Sequence, residues 1–289
     1  TEGELAQEWP VVWAAFSASL RRGDDQQVFD VASALARWTP TLLRFQEQGG
    51  LILEAGIAAS RRGNDQLALS RLLSSSGVYH YYRGSSLLAR RAWEDSLELT
   101  KSLPVSCNLY KPLYNLGILA LQMGEFAAAQ RYIERYMRRA KESAHSGELV
   151  CAYSVRAEIF RWQGATDRAL ADLSMAAQLL SASGPKDPRQ PDPWQTWLAL
   201  HLRLERTRAL GQYDQASALA EEIGRLCGVS IDGAEMALDQ AEYAANCGVI
   251  DDARRYALQA ARLGRTLRSR FFVAHARVIL ERAGEGVAS

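Results

Sequence analysis

The stretch NLGILALQMGEFAAAQRYIERY, Asn115 to Tyr136, sets one glycine, Gly124, between two apolar helical runs and places an alanine, Ala129, five residues after it. The same pairing returns as Gly84 with Ala89, Gly164 with Ala169, Gly211 with Ala216 and Gly248 with Ala253. Only 21 of 289 residues are glycine, so five glycines in register with five alanines mark a repeat, and self-similarity at a near-fixed period is the signature of a solenoid. Glycine reaches positive φ without steric cost, so each is expected to turn one helix into an antiparallel partner. Each alanine is expected where the second helix crosses close over the first. Seven residues before the turn, Gly77, Gly117, Ala157 and Ala241 are small for the same reason, and Leu204 departs from the pattern. Large apolar side chains follow at helical spacing, Phe126, Ile133 and Tyr136 in one copy, Tyr213 and Ile223 in another, and are expected to fill the seam.

Taken together, Leu116, Gly117, Ala120, Gly124, Phe126 and Ala129 resemble the tetratricopeptide repeat (TPR). The resemblance runs from Ser70 to Leu263, with turn glycines 40, 40, 47 and 37 residues apart, longer than the usual ~34-residue unit. The longest interval holds SASGPKDPRQPDPW, Ser181 to Trp194, where four of the eight prolines exclude a helix. It reads as a loop, chiefly a spacer. No stretch alternates like a β-strand. The expected fold is therefore all-α, an α-solenoid superhelix of antiparallel helix pairs. It is organised as an N-terminal helical segment over 1–63, five TPR-like repeats over 64–263 with the proline-rich loop at 181–194, and a C-terminal capping helix and tail over 264–289.

A second likeness lies ahead of the repeats. FDVASALARWTPTLLRFQEQGG, Phe29 to Gly50, resembles the entry to the TPR arm of STAND-type signalling ATPases and related bacterial transcription regulators. No P-loop of the form GxxxxGK[ST] occurs, so none of that family's catalytic residues carries over. The chain opens on Thr1 rather than Met, and we read it as a piece of a longer protein. The resemblance then implies the sensor or regulatory arm of a larger bacterial signalling ATPase or transcription regulator. The alternative is a free-standing TPR peptide receptor or assembly adaptor.

Composition supports binding rather than chemistry. Thirty-four Lys and Arg against 33 Asp and Glu leave a formal charge of +1, so no global basic field favours nucleic acid or an anionic membrane. The four histidines and four cysteines (Cys107, Cys151, Cys227, Cys247) lack zinc spacing. The cysteines read as buried, reduced thiols in a cytoplasmic protein. No apolar run reaches the ~18 to 20 residues of a membrane span, and no signal peptide opens the chain. GxSxG and GxGxxG are absent, and the one SxxK, Ser183 with Lys186, falls in the proline-rich loop. We expect no enzyme, no cofactor, no metal and no catalytic residue, with a homodimer through an end helix as a further expectation.

The first helix of each pair should line the inner, concave surface, where a protein or peptide partner is expected. Counting back from the turn glycines, that groove should contain Tyr81, Tyr82, Lys111, Tyr114, Gln122, Glu158, Arg161, Trp162, His201, Glu205, Arg208 and Asn246. Aromatic side chains with arginine are the residues that binding hot spots favour. The two-carboxylate clamp of chaperone-binding TPR domains is not reproduced, because the copies beside Lys111 and Asn115 offer Ser74, Val78 and Val155.

Overall fold

The computed structural model describes residues 2–36, 39–101, 109–143, 145–183 and 193–285. Among these residues every regular element is an α-helix. The chain divides into two compact units: residues 1–115 with 267–271, and 116–266 with 272–289.

The first unit begins with α1 (Glu2–Gln7), α2 (Trp9–Arg22), α3 (Asp25–Leu35), α4 (Thr39–Arg44) and α5 (Gln46–Arg62). It continues through α6 (Gln66–Tyr82) and α7 (Ser86–Thr100) into the start of α8 (Lys111–Gln122). Trp9 stacks on Phe45 at 4.4 Å and donates its indole N–H to Gln48. The crossing of α6 and α7 depends on a missing side chain: a Cβ on Gly77 would lie 2.2 Å from the Trp93 indole nitrogen. That same N–H donates to the Ser74 carbonyl at 3.0 Å, so the ring cannot yield cheaply. One helical turn lower, Ser70 and Ser96 exchange hydrogen bonds across the seam. These satisfy hydroxyls that would otherwise be buried at a cost.

The second unit contains the rest of α8, then α9 (Phe126–Glu142), α10 (Ser146–Trp162), α11 (Thr166–Ser183), α12 (Pro193–Ala209) and α13 (Tyr213–Cys227). It closes with α14 (Ile231–Asn246), α15 (Ile250–Thr266) and most of α16 (Arg270–Glu285). Residues 184–192, the body of the expected proline-rich loop, lie outside the described residues, as does Cys107. The helices on either side end at Ser183 and resume at Pro193, a residue tolerated in a first helical turn because its missing N–H has no intrahelical role there.

All five turn glycines adopt positive φ, from +68° to +76°, and all five partner alanines are fully buried. Each turn closes with two backbone bonds, as where Gly124 N–H reaches Leu121 O at 2.9 Å and Glu125 N–H reaches Ala120 O at 2.8 Å. The identical pair of bonds recurs at Gly23–Asp24 after α2 and at Asn64–Asp65 after α5. Here the repeat motif is absent from the sequence. Asn64 takes φ +53° in place of glycine, which asparagine tolerates better than most residues, and the following aspartate caps the next helix (Asp65 accepts from Ala68 N–H at 2.9 Å).

The expectation of buried thiols is corrected at Cys247, which is exposed at the end of α14, while Cys151 and Cys227 are half-buried. Its register explains this: Cys247 directly precedes the exposed turn glycine Gly248. No helix is long and apolar enough to cross a membrane among the described residues.

Candidate functional site

In the second unit, α10, α12 and α14 are the first helices of three successive pairs and bring their polar residues together. Residues three and four apart share a helix face, so Glu158, Arg161 and Trp162 stand together on α10, and His201, Glu205 and Arg208 on α12. Glu205 is the hub. Its carboxylate accepts from Arg208 at 2.7 Å and lies 3.6 Å from the Arg161 Nε across the helix pair. Arg208 in turn donates to the Gln240 carboxamide oxygen of α14 at 2.9 Å and lies over the Tyr243 ring at 5.4 Å. Glu158 sits 3.6 Å from Arg161, accepts from the Trp162 indole at 3.4 Å, and so ties the exposed edge of α10 into the same network. Trp197 stacks flat on His201 at 5.1 Å.

The charges in this network are unequal. Burial alone would push the Glu205 carboxyl up, but Arg208 and Arg161 outweigh it and hold the group down at about 2. Around it, burial pushes Glu158 up, reinforced by the neighbouring Glu205 and opposed by Arg161. Burial also pushes Asp239 of α14 well above the ordinary carboxylate range, again reinforced by Glu158. Glu242 rises through burial against the pull of His275 and Arg282. The His201 imidazole is driven down by burial despite the attraction of Glu205. The cations are thus unevenly shared: Arg208 and Arg161 lie closest to Glu205, Glu158 shares Arg161, Glu242 feels His275 and Arg282 from α16, and Asp239 is the most strongly raised. Such a face attracts a cationic or hydrogen-bond-donating group.

Of the twelve residues expected in a groove, the structure brings six together here: Glu158, Arg161, Trp162, His201, Glu205 and Arg208. Gln122 and Asn246 are exposed at the C-terminal ends of α8 and α14. Tyr81, Tyr82, Lys111 and Tyr114 belong to the first unit. Three of the twelve are corrections, because they are buried rather than lining an open groove: Glu205 and Arg208, 3% and 4% exposed within the network above, and Tyr81, 5% exposed between Trp93 and Phe271 with ring centroids at 6.0 and 4.5 Å. Tyr82 is half-buried beside it, edge-on to Phe271, and its carbonyl accepts from Ser269 at 2.6 Å. Lys111 lies 5.1 Å from the Tyr114 ring and borders a cavity of about 640 Å³ lined by Ser33, Ser70, Ser74 and Arg71. Among the described residues no group of three His, Cys, Asp or Glu side chains is placed to hold a metal ion.

The residues that the sequence reading missed are Trp197, Asp239, Gln240 and Tyr243. One signal was present: Glu158, Glu205 and Glu242 each stand six residues before a turn glycine, while Val78 and Ile118 hold that place in the earlier copies. A ladder of glutamates thus begins at α10. Asp239 gives no such signal, because its register holds the buried Val155 and Leu202 in the neighbouring copies.

No protein-family model matches the sequence, and no curated protein matches it. Solved structures do match in shape. Aspartyl phosphate phosphatase F from Bacillus subtilis superposes with a TM-score of 0.67 at 13% identity, over 83% of this chain and 62% of that one. A Rap protein complexed with competence and sporulation factor superposes at 0.60 and 11% identity, over 99% and 86%. This chain therefore spans less than two thirds of the length of the phosphatase. At these identities the likeness concerns the fold, a TPR-type helical repeat.

Proposed function

We propose that the chain is a non-enzymatic scaffold that binds a protein or peptide segment on the α10, α12 and α14 face of its second unit. The segment would bring a cationic side chain to Glu158, Asp239 and Glu242. The carboxyl-rich network carries this reading: Arg208 and Arg161 lie closest to Glu205, Glu158 only shares Arg161, and neither Asp239 nor Glu242 has an ion pair among the described residues. Trp162, 37% exposed at the rim with the Arg161 guanidinium 5.0 Å from its ring, supplies the aromatic surface that such contacts favour. The complex formed by a Rap protein of similar shape supports binding as the use of this fold.

Within that reading, the chain acts as the sensor arm of a larger bacterial signalling ATPase or transcription regulator, in the cytoplasm. Ligand capture would bias an attached switch through different affinities for its two states. A free-standing TPR peptide receptor or assembly adaptor fits equally.

The test is a fluorescence-anisotropy screen of the chain against an array of short peptides. Binders should be enriched in Lys or Arg, and the Glu158→Gln, Asp239→Asn, Glu242→Gln variant should weaken them ~10-fold or more, about 1.4 kcal/mol, with helicity unchanged. Binders without that enrichment, or affinity untouched in the variant, would remove the site from this face. Nucleotide hydrolysis by the isolated chain would overturn the non-enzymatic reading.

A further inference from the structure

Along α9 the sequence places Arg131, Arg135, Arg138 and Lys141 at successive spacings of four, three and three residues, which is one helix face. At 1.5 Å per residue the stripe runs about 15 Å. The opposite face of α9 is fixed in the core by Ala129, Ile133, Tyr136, Met137 and Ala140, so the stripe cannot turn inward. All four cations are exposed, and none has an ion pair or hydrogen bond to another described residue. They border a hollow of about 390 Å³, with Met137 as part of its apolar lining.

Some exposed cations of this chain pair with carboxylates: Arg139 with Glu142 on α9 itself, Lys101 with Glu98, Arg277 with Glu281, and Arg255 with both Glu221 and Asp252. What sets the stripe apart is that four unpaired cations share one face of one helix and one hollow. The two nearest carboxylates of α9 are engaged otherwise: Glu134 accepts from Gln130 at 2.8 Å and Glu142 pairs with Arg139 at 3.2 Å. Arg156, the remaining cation of the hollow, is neutralised by a two-pronged bond to Asp172 at 2.7 and 2.8 Å. The chain as a whole carries only +1, so this is a local concentration of unpaired charge.

We propose that the α9 stripe docks an acidic helix of a partner protein, with carboxylates at i, i+4, i+7 and i+10 meeting the four cations. A helix with acids at these positions repeats them at the same rise, ~4.5 to 6 Å, as the stripe repeats its bases, and arginine forks pair with carboxylates in two-bond geometry. Nucleic acid fits less well. The hollow has no aromatic side chain on which a base could stack, and the net charge lacks the strong basic excess of nucleic-acid-binding domains.

The experiment titrates the full chain into two fluorescein-labelled helical peptides of about 20 residues, one with Glu at those four positions and one with Gln, at low and at physiological salt. The Glu peptide should bind ~10-fold or more tightly than the Gln peptide and lose affinity with salt. Arg131→Gln, Arg135→Gln and Arg138→Gln combined should abolish that preference with unchanged helicity, whereas Arg21→Gln with Arg22→Gln should leave it intact. Three results would overturn the proposal: equal binding of the two peptides or none of either, retention of the preference in the triple variant, or tighter binding of a thymidine oligonucleotide or a DNA duplex lost in that variant.

Discussion

The α10, α12 and α14 helices of the second unit and its α9 surface both carry arginines at helical spacing, yet they use them in opposite ways. On α10, α12 and α14 the guanidinium groups of Arg161 and Arg208 are sunk beside Glu205 and link three helices, Arg161 through an ion pair at 3.6 Å and Arg208 through hydrogen bonds. On α9, Arg131, Arg135 and Arg138 touch no carboxylate among the described residues. The contrast shows that residue type and spacing alone do not distinguish a structural charge from an available one. The partner supplied by the next repeat decides. Where the adjacent first helix offers an acid at the same height, the cation becomes part of the core; where it does not, the cation remains open to another molecule.

Removing the buried cation should have the largest effect. Arg208 is buried and bonded to both Glu205 and Gln240. Arg208→Met would leave the Glu205 carboxylate buried without its nearest counter-charge, a loss of ~3 to 5 kcal/mol in urea unfolding. Pairing it with Glu205→Gln should recover a good part of that loss, because the second change neutralises the orphaned acid. If Arg208→Met costs no more than a surface substitution, the inner network is not structural and the division between the faces fails.

A smaller effect sharpens the account of the raised acids. For Asp239 and Glu242 the folded state holds protons that the unfolded chain has already released, so their contribution to stability falls as pH rises from the ordinary carboxylate range toward their raised values. Glu205 has the reverse sign: its stabilisation is present above the ordinary range and is lost as pH falls toward about 2. Asp239→Asn should therefore flatten the decline that sets in above the ordinary carboxylate range and stabilise the chain at neutral pH. Thermal unfolding at several pH values reads this directly, and an unchanged slope in the variant would show that Asp239 is ionised without cost.

How much of this the sequence reveals depends on the range of the cause. The five turns were legible because glycine at positive φ and alanine at a helix crossing are local requirements, each met by a distinctive residue. The turns at Gly23 and Asn64 were not, since Val28 and Leu69 replace the alanine and asparagine replaces one glycine, although the backbone bonds are the same. In the site, Glu158 and Glu205 could be placed because helical periodicity fixes their face. Tyr81 could not: what covers it is Phe271, a residue far along the chain whose approach leaves no mark near position 81. Asp239 was hidden for a different reason, since a carboxyl in a register otherwise apolar looks like a surface residue until the neighbouring acids and arginines are seen around it.

The smallest expected effect tests the other half of the comparison. Arg135 is exposed, unpaired and directed away from the core of α9, so Arg135→Gln removes a charge without removing a contact. Its effect on unfolding should stay within about 0.5 kcal/mol, the usual range for surface sites away from caps and networks. It should also be favourable at low salt, because Arg131 and Arg138 lie within one helical turn and repel it, and that gain should fade as salt screens the repulsion. A stabilisation that disappears with salt would mean that α9 holds its cations together against a small electrostatic cost, as expected of a surface kept for an anionic partner. Destabilisation beyond that range would show instead that Arg135 already has a partner within the fold, and the stripe would then belong with the inner network rather than opposite it.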